Sequence, residues 1–194
     1  MRIIAGGSRG RWFKGVPKDF PVHPISARIK KSVFDILRPR LEGARVLDLY
    51  AGTGAVGLEA LSRGARSAFF VDRDKRCLAV IEENMKRLAL TAQGKACYGD
   101  ILQDLSWIPF RAGVECFDLI YMGPPYRDAD NNMLAYSTPT LARVAEAKLL
   151  APGGWALLQR YKKEKVELPA GLERFREERY GDTDVEFLRP APTP

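Results

Sequence analysis

The sequence is short of the residues that build metal and redox sites. It has one histidine and three cysteines in 194 residues. Cys77, Cys97 and Cys116 are far apart and odd in number, which excludes a disulfide framework and a zinc spacing. They suit buried thiols in a reducing cytoplasm, and no metal site is expected. No run of 18 apolar residues occurs, so no transmembrane helix is expected. Residues 1–15 contain no apolar stretch long enough for a signal peptide. Internal repeats and low-complexity tracts are also absent.

What is present is ordinary globular material, with 46% hydrophobic and 28% charged residues, which excludes a disordered chain. The length suits one domain with a small appendage. The charge is unevenly spread. Residues 1–45 hold eleven Lys and Arg against three acids, whereas the rest of the chain holds 20 against 21. Nearly all of the net +7 therefore sits in the first quarter, which points to a polyanionic partner rather than to a uniformly solvated surface.

Residues 2–14 read as a hairpin around a glycine-rich centre, with Arg9 and Arg11 near its tip. Residues 16–24 are a proline-punctuated loop. Ser26 can cap a helix with Ile29, Val33, Ile36 and Leu37 on one stripe; Lys30 and Lys31 lie off that stripe and Arg28 near its edge. Residues 1–40 are thus expected to form a small basic appendage facing that polyanionic partner, 41–189 the main domain, and 190–194 a frayed tail. The main domain alternates strand and helix. Strands are expected at 45–50, 67–71, 95–98, 117–122 and 155–159, and helices at 54–63, 74–90 and 137–150, the last broken by Pro152-Gly153-Gly154. An antiparallel pair, 174–180 and 185–188, follows around Gly181-Asp182. This alternation predicts an α/β fold with a doubly wound, mostly parallel sheet.

The first strand runs into Asp48-Leu49-Tyr50-Ala51-Gly52-Thr53-Gly54-Ala55-Val56-Gly57, a glycine turn between strand and helix that brings backbone close to a ligand. No Gly-Lys-Ser/Thr follows, which excludes a P-loop. Asp48 would repel a pyrophosphate and attract a cationic amino-acid moiety. Asp72 ends the second strand and can accept two ribose hydroxyls or cap the next helix. Asp100 closes the third strand, where it can meet an adenine amine or form a turn. Three acids at three strand ends fit S-adenosylmethionine better than a dinucleotide. Ala51, Arg73 and Ile101, beside these residues, are assigned to the same cofactor site.

The fourth strand leads into Gly123-Pro124-Pro125-Tyr126. Two prolines fix the backbone and remove two N–H donors, leaving carbonyls and an aromatic ring. That set suits an exocyclic base amine on a flat base. Here the chain resembles amino-methyltransferases with an Asn/Asp-Pro-Pro-Tyr/Phe motif, and within them the RsmD-like family of bacterial small-subunit ribosomal RNA guanine-N2 methyltransferases. The resemblance covers nearly the whole chain. It includes Arg2-Ile3-Ile4, Gly6-Gly7, Arg9-Gly10-Arg11, Pro24, Arg28, Val33 to Leu37, Val46 to Gly64 and Tyr180 to Thr183. It implies a seven-stranded methyltransferase sheet and S-adenosylmethionine held by Asp48, Gly52, Gly54, Asp72 and Asp100. Three positions depart from the family's pattern: Gly123 replaces the residue before Pro-Pro, His23 an arginine, and Gln159 a frequent acid.

The expected function is methyl transfer to a guanine N2 of small-subunit RNA, or of the assembling subunit, by a cytoplasmic monomer. Gly123 to Tyr126 would hold the base, and Arg9, Arg11, Arg28, Lys30 and Lys31 the phosphates. Gly123 is expected to slow turnover while leaving cofactor binding intact, and an aspartate there to raise the rate. The alternative is a catalytically weakened S-adenosylmethionine- and RNA-binding protein in ribosome assembly. A nicotinamide-dependent oxidoreductase is disfavoured by Asp48 and by the Pro-Pro-Tyr turn.

Overall fold

The computed structural model describes residues 1–15 and 25–192. Residues 16–24, where a proline-punctuated loop is expected and which include His23 and Pro24, lie outside the described residues, as do Thr193 and Pro194.

Seven strands form one sheet in the order β3-β2-β1-β4-β5-β7-β6. β1 (Arg45–Leu49), β2 (Ser67–Asp72), β3 (Gly94–Tyr98), β4 (Phe117–Met122) and β5 (Leu150–Tyr161) run parallel. β7 (Thr183–Pro190) is antiparallel to both β5 and β6 (Leu172–Tyr180). The α/β fold expected from strand–helix alternation is therefore present, with all seven strands.

The central strands are buried on both faces, so their side chains feed two cores. Val46, Phe70, Leu119 and Leu157 pack with Val33 and Leu37 of α1 (Ala27–Leu37), Leu58 of α2 (Ala55–Ser62) and Ile81 of α3 (Lys75–Leu88). Leu47, Val71, Ile120 and Leu158 pack on the other face with Ile108 of α4 (Trp107–Ala112) and Leu141 and Val144 of α5 (Ser137–Glu146). Ile3 and Phe13 belong to the first of these cores, so the N-terminal hairpin is continuous with the main packing. Its backbone pairs through Ile3 N–H to Arg11 O and Gly10 N–H to Ile3 O, each 3.0 Å. It docks on the end of α2, where Gly7 N–H reaches Ser62 O at 2.7 Å and Ser8 N–H reaches Ser62 Oγ at 3.0 Å.

Local signals hold where the chemistry is local. Ser26 caps α1 by accepting from Ile29 N–H, and Asp74 caps α3 by accepting from Arg76 N–H. Three expectations need correction. The helix beginning at Ser137 ends at Glu146, because Lys148 turns left-handed (φ 51°) and Leu149 O is taken by Phe117 N–H at 2.8 Å. Pro152-Gly153-Gly154 therefore breaks no helix. β5 begins at Leu150, opposite Phe117, and pairing resumes only at Leu119 and Trp155, so these residues form an irregularity inside the strand. The tail is tied down further than expected: Pro190 ends β7 and Ala191 N–H donates to Gly171 O at 2.9 Å. α4 is an element that the sequence pattern did not reveal; it has six residues with Pro109 among them.

Candidate active site

In a parallel sheet a ligand crevice opens where neighbouring strands connect in opposite directions. Here that point lies between β1 and β4. Two unusual segments leave these strands side by side: the glycine turn after β1 and the Gly123-Pro124-Pro125-Tyr126 segment after β4. They are joined by Gly123 N–H to Leu49 O at 3.4 Å.

The glycine turn is bent by Tyr50, Gly52 and Gly54, all left-handed, with φ of 59°, 54° and 75°. Tyr50 holds this conformation without being glycine while its hydroxyl contacts Thr140 Oγ1 at 2.7 Å. Gly57 serves packing rather than the ligand: a Cβ there would sit 2.2 Å from Phe70 Cε1. Asp48 lies beneath the turn, 1% exposed, and its Oδ2 accepts from Gly57 N–H at 2.9 Å. Burial, with the nearby Asp72 adding to it, pushes its carboxyl up to about 8, against the opposing pull of that N–H. Asp72, 8% exposed, accepts from Gly52 N–H at 2.8 Å and from Asp74 N–H at 2.9 Å. It thus ties the end of β2 to the turn, while the helix cap is Asp74. Burial raises its pKa as well. Among the described residues neither carboxyl forms an ion pair with a Lys or Arg. Asp100 accepts from Leu102 N–H at 3.0 Å in a local turn; beside it Ile101 is buried, and Arg73 is exposed. Ala51 is buried, and its N–H donates to Val71 O at 3.1 Å.

After β4, Pro124 is buried and Gly123, Pro125 and Tyr126 are half-buried. Among the described residues nothing donates to the carbonyls of Gly123 and Pro124. The Tyr126 hydroxyl accepts from Gln159 Nε2 at 3.0 Å and donates to Thr183 Oγ1 at 3.4 Å. Gln159 Oε1 in turn accepts from the Tyr121 hydroxyl at 2.7 Å. Tyr121 and its neighbour across the ladder, Asp48, share a face of the sheet. Burial holds the Tyr121 phenol well above its ordinary pKa, so it stays protonated. The Tyr121–Gln159 pair was missed because Tyr121 reads as one more apolar residue in a buried strand. Gln159 stood out only as a departure from the family pattern.

The basic residues divide. Arg9, Arg28 and Lys31 are exposed, and Arg28 and Lys31 line a surface groove with Ser32, Asp35, Ile36 and Arg176. Arg11 is partly committed, donating to Leu88 O at 2.9 Å and to Arg87 O at the end of α3. Lys30 is the clear correction. It is 2% exposed, its Nζ lies 2.9 Å from Glu59 Oε2 and it donates to Arg2 O at 3.1 Å. It cannot reach an RNA phosphate. Glu59 was the available signal: a carboxylate in the wholly buried α2 needs a buried cation.

Comparison with known proteins follows the same lines. The family model described as "Conserved hypothetical protein 95" matches residues 1–189. "Putative rRNA methyltransferase YlbH" of Bacillus subtilis (strain 168) is 33% identical over 192 residues, covering 97% of this chain and 98% of that protein. "Ribosomal RNA small subunit methyltransferase D" of Escherichia coli (strain K12) is 28% identical over 198 residues, covering 96% and 94%. Among solved structures, a hypothetical protein of Thermus thermophilus superposes with a TM-score of 0.75 at 29% identity, covering 97% of this chain and 99% of that one. The sheet, the glycine turn and the Pro-Pro-Tyr segment thus agree with a match running almost end to end, and the chain belongs to this RsmD-like family of class I methyltransferases.

Proposed function

We propose that this protein transfers the methyl group of S-adenosylmethionine to the exocyclic N2 of a guanine in small-subunit ribosomal RNA, acting as a monomer in the cytoplasm. The observation that carries the reading is a juxtaposition. Two buried carboxyls without cationic side-chain partners lie under the glycine turn, next to a proline-fixed segment whose carbonyls face no donor of the described protein. A cationic ligand favours the ionised form of a buried carboxyl, and an amine supplies N–H groups to free carbonyls.

The residues present fit that cofactor. Asp72 retains lone pairs for ribose hydroxyls beyond the two N–H groups it already accepts. Asp100 and Ile101, with Arg73 at the rim, suit the adenine side. Ala51, Gly52 and Gly54 offer close backbone to the amino-acid end, above Asp48. The bound cofactor supplies an electrophilic methyl group on a sulfonium. A guanine amine is a poor nucleophile, because its lone pair is delocalised into the ring. The protein's task is therefore positioning, which can supply roughly 7–11 kcal/mol. The carbonyls of Gly123 and Pro124 accept amine protons, Pro125 keeps the turn rigid, and Tyr126, tethered at its hydroxyl, offers its ring to the base. Arg9, Arg28 and Lys31 hold RNA phosphates, with Arg11 contributing from the hairpin. The groove that Arg28 and Lys31 line extends this basic surface to Arg176.

The test is transfer of tritiated methyl from S-adenosylmethionine to undermethylated small subunits, followed by nucleoside analysis. N2-methylguanosine is the expected product. Cofactor binding without transfer to subunits or RNA favours the assembly-protein alternative that the missing side chain at Gly123 leaves open. No cofactor binding refutes both.

A further inference from the structure

Position 123 and Tyr121 are physically one problem. The backbone at Gly123 is not left-handed, so nothing in its conformation requires glycine. What constrains it is space. The three atoms nearest to a Cβ built on Gly123 all belong to Tyr121: Cε1 at 3.1 Å, the hydroxyl oxygen at 3.4 Å and Cζ at 3.6 Å. The two residues are two apart along the same strand direction and so face the same side. A Cβ at 123 would press on the phenol ring, which would have to give by a few tenths of an ångström. It is also clamped at its far end, by Gln159.

The clamp has a direction. Tyr121 donates to Gln159 Oε1, Gln159 Nε2 donates to Tyr126, and Tyr126 donates to Thr183 Oγ1. The chain uses the Tyr121 proton and leaves its oxygen lone pairs free. Among the described residues none donates to that oxygen. A target amine needs an acceptor of this kind: the N–H groups must be held while the nitrogen lone pair points at the methyl group. We infer that the Tyr121 hydroxyl oxygen, oriented by Gln159, accepts a hydrogen bond from one of the two N–H groups of the target amine in place of the side chain absent at position 123, which leaves the other N–H to a backbone carbonyl of the Gly123-Pro124 segment. The inference rests on the amine-methylating function proposed above. Tyr121 is then a substrate-contacting residue and Gln159 a positioning residue that takes the hydroxyl proton and leaves the oxygen as an acceptor. The glycine is the space the phenol requires, and restoring a carboxylate at 123 in the unaltered background crowds the phenol instead of adding an acceptor.

The experiment compares four full-length proteins: unaltered, Tyr121→Phe, Gly123→Asn and the double variant. Single-turnover methyl transfer to undermethylated small subunits is measured at saturating S-adenosylmethionine, with cofactor affinity by calorimetry and thermal stability alongside. Tyr121→Phe is expected to slow transfer by about tenfold or more while cofactor affinity stays within about twofold. Gly123→Asn alone brings no gain, because the ring stays tied to Gln159 and cannot give the few tenths of an ångström that a Cβ needs. In the double variant the untied phenylalanine ring can shift by that much, and the amide supplies the acceptor it lacks, so part of the lost rate returns. Transfer by Tyr121→Phe at the unaltered rate overturns the inference, as does a slowed Tyr121→Phe that Gly123→Asn fails to rescue. If the unaltered protein transfers no methyl group, the proposed function itself falls, and the inference with it.

Discussion

Replacing Lys30 by methionine separates a structural cation from the RNA-binding cations around it. The ammonium lies between Glu59 Oε2 at 2.9 Å and Arg2 O at 3.1 Å, and within 5.5 Å of the Phe13 ring centroid. Burial lowers its pKa, and the Glu59 charge only partly opposes that. Methionine keeps the apolar stem and removes the charge. Glu59, 0% exposed, is then left with Arg63 Nε at 2.9 Å and the N–H groups of Ile4 and Ala5 at 2.9 and 3.0 Å. Breaking a buried pair by removing one partner costs about 3–5 kcal/mol. The three remaining donors place this case near about 3 kcal/mol, at the low end of that range. For a chain of this size the melting temperature falls by about 2–4 °C per kcal/mol, hence by about 6–12 °C. Thermal unfolding measures the loss, and RNA affinity over a salt series measures what is left. The expected result is a less stable protein whose affinity keeps its full salt dependence. An unchanged melting temperature together with a shallower salt slope would refute the reasoning, because Lys30 would then be contacting phosphate rather than Glu59.

Lys31→Ala and Arg28→Ala are expected to do the reverse, leaving the melting temperature almost unchanged and lowering the salt slope by about 0.7–0.9 per lost phosphate contact, in a filter-binding series. An unchanged slope in both removes the groove between α1 and β6 from the RNA surface. Asp72→Ala should weaken S-adenosylmethionine binding by about 1.5–3 kcal/mol in calorimetry, and undiminished affinity removes Asp72 from the cofactor site. For Asp48 the folded pKa, about 8, lies above the unfolded value of 3.8, so the folded state binds the extra proton between these values. Stability of the cofactor-free protein therefore falls as pH rises from about 4 to about 8, and no further above. Asp48→Asn should flatten that part of a urea-unfolding profile, and a pH profile identical to the unaltered protein's would show that Asp48 is already ionised.

Much of the fold was legible because its signals are local. Buried apolar runs mark β1, β2 and β4, a 3.6-residue stripe marks α3, and Ser26 and Asp74 announce their helices through side-chain caps. The glycine turn and the Pro-Pro-Tyr segment were legible for the same reason: glycine and proline constrain the backbone wherever they stand. The positions that mattered most to function were not. Lys30 lies off the stripe read from Ile29, Val33, Ile36 and Leu37 but on the face that α1 buries, with Val33, Phe34 and Leu37, and its partner is Glu59, 29 residues later. Pro152-Gly153-Gly154 reads as a helix breaker until the pairing of β5 with β4 enlists the segment in a strand. Tyr121 looks like core and Gly123 like a missing side chain. Their relation depends on a distance of 3.1 Å and on Gln159, reached across the sheet from β5. Conformational preference and hydrophobic period are properties of neighbours in sequence, so the sequence alone determined most of the elements, α4 and the start of β5 apart, and the two turns at the site. Which polar groups lose water, and which partner then satisfies them, depends on contacts between distant segments, and only the tertiary structure decided that.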